Sequence, residues 1–92
     1  MKEIKRGEIY AVDFGAGFGS EQGGIRPSLI LQNDIGNRHS PTTIVAAITG
    51  RKTKAALPTH VAIMANGLKT ESTVLLEQIR TIDKARLGEY IG

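Results

Sequence analysis

The 92-residue chain has no cysteine and no tryptophan, and only two phenylalanines and two tyrosines. Without cysteine there can be no disulfides and no thiolate metal site, so stability rests on packing or on oligomerisation. With so few rings, the core must be assembled from Ile, Leu, Val and Ala, a composition that suits strands. No apolar run approaches the length that spans a bilayer. The opening "MKEIKRGEIY" carries cations with no apolar run behind them, so neither a signal peptide nor a membrane anchor is expected, and the cytoplasm is the expected compartment.

What is present is one domain's worth of chain. At this length a fold buries only about 60 to 65% of the surface its unfolded form exposes, so the core is thin and a partner chain would help it. Twelve Lys and Arg stand against nine acids, a net charge of +3. That balance is compatible with nucleic acid and equally with an ordinary soluble surface.

Five strands are expected. In "EIYAVDF" Tyr10, Val12 and Phe14 alternate at period two. "GAGFGSEQGGIR" (15–26) holds five glycines and reads as a surface loop. Pro27 then leads into the apolar "SLILQ", closed by the turn-rich "NDIGNRHSPT". "TIVAAIT" is the third strand, "THVAIMA" the fourth and "STVLLEQIRTI" the fifth, with an Asn-Gly turn signal at 66 and 67. Only the last ten residues, "DKARLGEYIG", offer a short helix. The pattern favours a mainly β fold, a small, strongly bent sheet or partly open barrel.

Chemistry has few places to reside. His39 and His60 lie 21 positions apart with no HxxxH pair, so no metal and no cofactor is expected. The glycine loop lacks a GK[ST] ending and no helix follows it, which fails the phosphate-cradle pattern. Arg26 stands between a flexible loop and a rigid strand, and its planar fork of donors suits phosphate; an ion pair with Glu21 is the structural alternative. Thr49 ends a strand, as a simple β-former or as a functional hydroxyl. Arg51, Lys52 and Lys54 form a cationic turn, either merely solvated or part of an anion surface. Phe18 beside these cations is the combination that single-stranded nucleic acid needs, although it would serve equally as a minor core anchor.

The segments "RGEIYAVDF", "GSEQGGIRPSLILQND", "IVAAITG", "LPTHV" and "LLEQIRTID", in this order from Lys5 to Leu87, closely resemble the MazF/PemK family of toxins, mRNA interferases of type II toxin-antitoxin pairs. The resemblance implies a small SH3-like twisted barrel with short helices and a homodimer with an RNA groove across its interface. It also implies sequence-specific, metal-independent cleavage of single-stranded RNA that inhibits translation and growth, and neutralisation by a cognate antitoxin. The family's catalytic arginine falls on Arg26 and its catalytic threonine on Thr49. Ser20, Glu21 and Gln22 fall where its first loop borders RNA, and the LEQ glutamine is Gln78. Family members continue into a C-terminal helix, so a single domain over 1–92 is expected, either truncated at its C-terminus or lacking that helix by nature. Phe18, Arg51, Lys52 and Lys54 lie where the family varies and are carried as RNA-binding candidates.

Metal-free cleavage uses the RNA's own 2′-hydroxyl, so the protein must remove one proton, supply another and stabilise charge on phosphorus. Arg26 suits charge stabilisation or acid work. Glu21 and His60 are candidates for the base, against an RNA contact for the first and a structural histidine for the second. Two other functions stay open: a topoisomerase-targeting toxin of the same fold, and a catalytically dead RNA-binding module.

Overall fold

The computed structural model describes residues 3–15, 24–50, 60–63 and 72–92. Strands β1 (Ile9–Asp13), β2 (Ile25–Ile30), β3 (Thr42–Thr49), β4 (His60–Ile63), β5 (Ser72–Asp83) and β6 (Leu87–Tyr90) form one antiparallel sheet in the order β4-β5-β3-β2-β1-β6. Among the described residues, a single helix, α1 (Asp34–His39), joins β2 to β3, and one 3-10 turn (Lys84–Arg86) precedes β6.

The alternation in β1 works as its sequence implies. Tyr10, Val12 and Phe14 bury on one face with Ile30, Val45, Ala47 and Ile82, while Ile9 packs on the other with Ala46, Ile48 and Val74. Both faces of the sheet are therefore apolar, and β3, central to it, is buried from Val45 to Thr49. The unbroken "IVAAI" run is the mark of a strand covered on both sides. Cζ of Arg80 on β5 lies 5.2 Å from the ring centroid of Phe14, the residue that follows β1, although β3 and β2 intervene between β5 and β1 in the sheet order. The sheet must curl to bring them together. The result is the mainly β, twisted architecture expected, left open with β4 and β6 as its edges rather than closed as a barrel.

Two elements depart from expectation. The turn-rich "NDIGNRH" is a helix, and its stability owes little to apolar packing, since Ile35 is 75% exposed. Instead the Asn33 side chain caps it by accepting from the Gly36 amide at 2.7 Å. The buried Asn37 amide then ties it to the sheet, accepting from the Thr43 hydroxyl at 2.7 Å and donating to the Gln32 carbonyl at 2.8 Å. The Lys84 ammonium donates to the Asn37 carbonyl. The last ten residues, expected to hold the only helix, instead supply the 3-10 turn, capped by Asp83, and then β6. β6 pairs with β1 at Tyr10↔Tyr90 and Val12↔Leu87, and the Tyr10 and Tyr90 rings meet edge to face at 5.4 Å. Burial, followed by the Glu8 charge, pushes the Tyr10 phenol up to about 12, so it stays neutral and donates to the Glu8 carboxylate. Among the described residues no helix is long and apolar enough to cross a membrane.

Among the described residues, one buried side-chain atom lacks a hydrogen-bond partner. Ser28 is 0% exposed, and its hydroxyl makes no hydrogen bond among the described residues. An unsatisfied buried hydroxyl costs about 1 to 3 kcal/mol, partly offset by the small void its removal leaves. Ser28→Ala is therefore expected to leave stability unchanged or to raise it by up to about 1 kcal/mol in urea unfolding. A loss above 1 kcal/mol would show that the hydroxyl has a partner.

Candidate functional site

The two ends of the glycine-rich segment, at Gly15 and Gly24, are tied together. The Phe14 amide donates to the Gly24 carbonyl at 2.9 Å, and the Gly24 amide donates to the Gly15 carbonyl at 2.6 Å. Gly15 and Gly24 sit at φ of +69° and +76°, in the left-handed region that side chains disfavour. A Cβ on Gly24 would meet nothing within 4 Å, so the penalty of adding one is purely conformational. Gly24→Ala should cost about 1 kcal/mol of stability, measured by denaturant titration; an unchanged midpoint would mean that this backbone conformation is not required.

Arg26 follows two residues later on β2, half-buried and paired in register with Val12 of β1. Pro27 fixes the next φ and offers no amide to a ladder, and the recorded β2–β3 pairing begins only at Ser28↔Ala47. Carried two residues past that pair, back along β2 and forward along β3, the same register sets Arg26 opposite Thr49. Both belong to the face that carries Ser28 and Ala47, and directly opposed residues have Cβ atoms about 4.5 to 5.5 Å apart. Thr49 is 9% exposed and pairs on its other side with Thr73 of β5. The two residues singled out by sequence thus come from neighbouring ends of β2 and β3.

Gln78 lies in an irregular stretch of β5. Between Ala46↔Ile79 and Ile48↔Val74, two steps along β3 match five along β5, so β5 carries three extra residues. Such bulges bend a strand and re-aim its side chains; Gln78 is half-buried within this one. Phe18, Ser20, Glu21, Gln22, Arg51, Lys52 and Lys54 lie outside the described residues. His39 ends α1 and His60 opens β4 opposite Leu75, so the two histidines occupy different elements. No three of His, Asp and Glu gather as metal ligands among the described residues.

Two arginines that sequence reasoning did not single out also reach the loop base. Arg80 stacks on Phe14, and Arg86 donates through Nη1 to the Asp13 carbonyl at 3.1 Å. Asp13 in turn accepts from the Gly15 amide at 2.8 Å. The only sequence signal for Arg80 is its place in "LLEQIRTID"; nothing local predicts that it crosses the curl of the sheet. An arginine and a threonine on one face at neighbouring strand ends, with further guanidinium groups at Asp13 and Phe14, is chemistry for an anion and above all for a phosphate.

Comparison with known proteins points the same way. Residues 5–92 match the family of PemK-like, MazF-like toxins of type II toxin-antitoxin systems. The chain is 60% identical over 90 residues to the endoribonuclease EndoA of Bacillus subtilis, covering 96% of this chain and 78% of that protein. An endoribonuclease from a mycobacterial species, solved in complex with its cognate antitoxin, superposes with a TM-score of 0.73 at 30% identity, covering all of this chain and 77% of that one. MazF from Deinococcus radiodurans superposes with a TM-score of 0.83 at 25% identity, over all of this chain and 82% of its own.

Proposed function

The chain belongs to the PemK-like, MazF-like toxin family of type II toxin-antitoxin systems, and on that premise we propose that it is an endoribonuclease cleaving single-stranded RNA without a metal. The observation that supports the reading is the β2–β3 register at Ser28↔Ala47, which, carried two residues further, sets Arg26 opposite Thr49 beside the Gly15–Gly24 hydrogen bond.

In this mechanism the RNA's 2′-oxygen attacks the adjacent phosphorus as the bond from phosphorus to the 5′-oxygen breaks. The 2′-hydroxyl loses its proton and the departing 5′-oxygen gains one, leaving a 2′,3′-cyclic phosphate and a 5′-hydroxyl. DNA has no such nucleophile. Negative charge grows on the non-bridging oxygens, and a guanidinium held on a strand meets two of them with little reorganisation. We assign that role to Arg26. A guanidinium stays protonated at physiological pH, so it stabilises charge or lends a proton to the leaving oxygen and does not act as the base. Thr49 donates its hydroxyl to a phosphate oxygen or orients the 2′-hydroxyl. Ser20, Glu21, Gln22 and Gln78 would hold RNA bases and sugars, and Phe18, Arg51, Lys52 and Lys54 would stack on and neutralise the flanking strand.

Thr49→Val keeps the shape and the β propensity while deleting the hydroxyl. Cleavage under single-turnover conditions should fall about 100-fold, with the far-UV spectrum and melting temperature nearly unchanged; a rate within threefold of wild type would remove Thr49 from the chemistry. We place the protein in the cytoplasm as a homodimer held in check by a cognate antitoxin, in keeping with the mycobacterial endoribonuclease that was solved with its antitoxin. Inhibition of a DNA topoisomerase with RNA left intact would favour the topoisomerase-targeting alternative instead.

A further inference from the structure

Among the arginines whose contacts are described, Arg80 has an unusual environment. Arg6 donates through Nε to the Leu31 carbonyl, Arg38 to the Glu3 carboxylate and Arg86 to the Asp13 carbonyl. Arg80 is half-buried, and its guanidinium lies over the Phe14 ring with no hydrogen bond or ion pair to an acceptor among the described residues. A guanidinium has five N–H donors in a fixed plane. Stacking on a ring satisfies its face electrostatically and leaves those donors, which point outward from its edge, unused.

The platform is rigid and well placed. Phe14 is only 4% exposed, so its ring is set in the core, and its amide is bonded to Gly24. One step past the Asp13↔Ile25 pair, Phe14 is hydrogen-bonded to Gly24, which sets it a diagonal step from Arg26, about 7 to 8 Å along such a ladder. Val12, which pairs with Arg26, lies on the same face as Phe14. Arg80 therefore presents a stiffened, permanently charged fork beside the candidate catalytic pair, at little entropic cost on binding.

We propose that Arg80 is a second phosphate-binding residue, one that grips a phosphodiester flanking the scissile one and so fixes the register of the RNA strand against Arg26 and Thr49. This rests on the RNA-cleaving reading above. Arg80 does not touch the reacting atoms in this scheme; it is a substrate-binding residue, and the Phe14 ring positions it.

The test is binding of a mixed-sequence 2′-O-methyl RNA, which lacks the nucleophile, to the full chain across a range of salt. Each phosphate neutralised on a single strand contributes about 0.7 to the slope of log affinity against log salt. Arg80→Gln should lower the slope by about 0.7 and weaken binding several-fold at moderate salt. For cleavable RNA, KM should rise while kcat at saturation stays within about threefold. Arg80→Lys, which keeps the charge, should restore the slope and guards against a fold defect in the glutamine variant. If Arg80 only staples β5 to Phe14, Arg80→Gln will lower the melting temperature and leave the slope unchanged, which overturns the proposal. Wild-type cleavage together with an unchanged slope overturns this inference alone; wild-type protein that neither binds nor cuts RNA overturns the RNA-cleaving reading beneath it.

Discussion

Arg26→Ala is expected to eliminate RNA cleavage, lowering the single-turnover rate by about 10³-fold or more, while leaving the protein folded. The size follows from what the residue does. A guanidinium that meets a transferring phosphoryl group neutralises charge present only in the transition state, and arginines in that role contribute about 10³ to 10⁵ in rate. The fold survives because Arg26 lies near the start of β2, where the core residues Ser28 and Ile30 have yet to begin. Exchanging a half-buried strand residue for alanine costs at most about 1 kcal/mol. Arg26→Lys separates charge from geometry: lysine keeps the charge as a single point and loses the two-pronged contact, so it should recover only a small part of the rate. Near-normal cleavage by Arg26→Ala would remove the residue from the mechanism.

Phe14→Ala has the largest expected effect on stability. Its ring is among the few aromatic groups in the chain and is buried with Ile4, Tyr10, Val12, Ile30, Val45 and Ile82. Truncating a buried phenylalanine costs about 3 to 5 kcal/mol, against a total of about 5 to 15 kcal/mol for an ordinary domain. A thin core has little surplus to absorb this, so partial unfolding at room temperature is expected. Phe14→Leu, which retains most of the volume, should cost about 1.5 kcal/mol or less and keep the fold while removing the ring beneath Arg80. Urea titration reads both; a loss under 1 kcal/mol in the alanine variant would show that the ring is not a core element.

Legibility followed the range of the forces involved. Tyr10, Val12 and Phe14 announce β1 because a half-buried strand imposes period two on its own residues, and "IVAAI" announces a strand buried on both sides. Helix α1 was hidden because its stability is not local apolar packing: Asn33 caps it, and Asn37 anchors it through Thr43 and Gln32, polar residues that otherwise read as a turn. β6 was hidden because it contributes mainly Leu87 and Tyr90, and it is a strand only because β1 offers an edge to pair with. At the site, Arg26 and Thr49 were legible as the punctuation of two strands and as positions in a motif. Their opposition required the register of β2 on β3. The position of Arg80 over Phe14 required the curl of the whole sheet, which no window of sequence contains.

The most direct test of the central claim is incubation of the protein with a mixed-sequence RNA and the DNA of the same sequence, in EDTA, followed by mass analysis of the products. Metal-free attack by the 2′-hydroxyl predicts RNA fragments ending in 2′,3′-cyclic phosphate and beginning with 5′-hydroxyl, with the DNA untouched and no products from Arg26→Ala. RNA fragments carrying 5′-phosphate ends, cleavage of the DNA, or no cleavage by folded protein until a divalent metal is restored would contradict it.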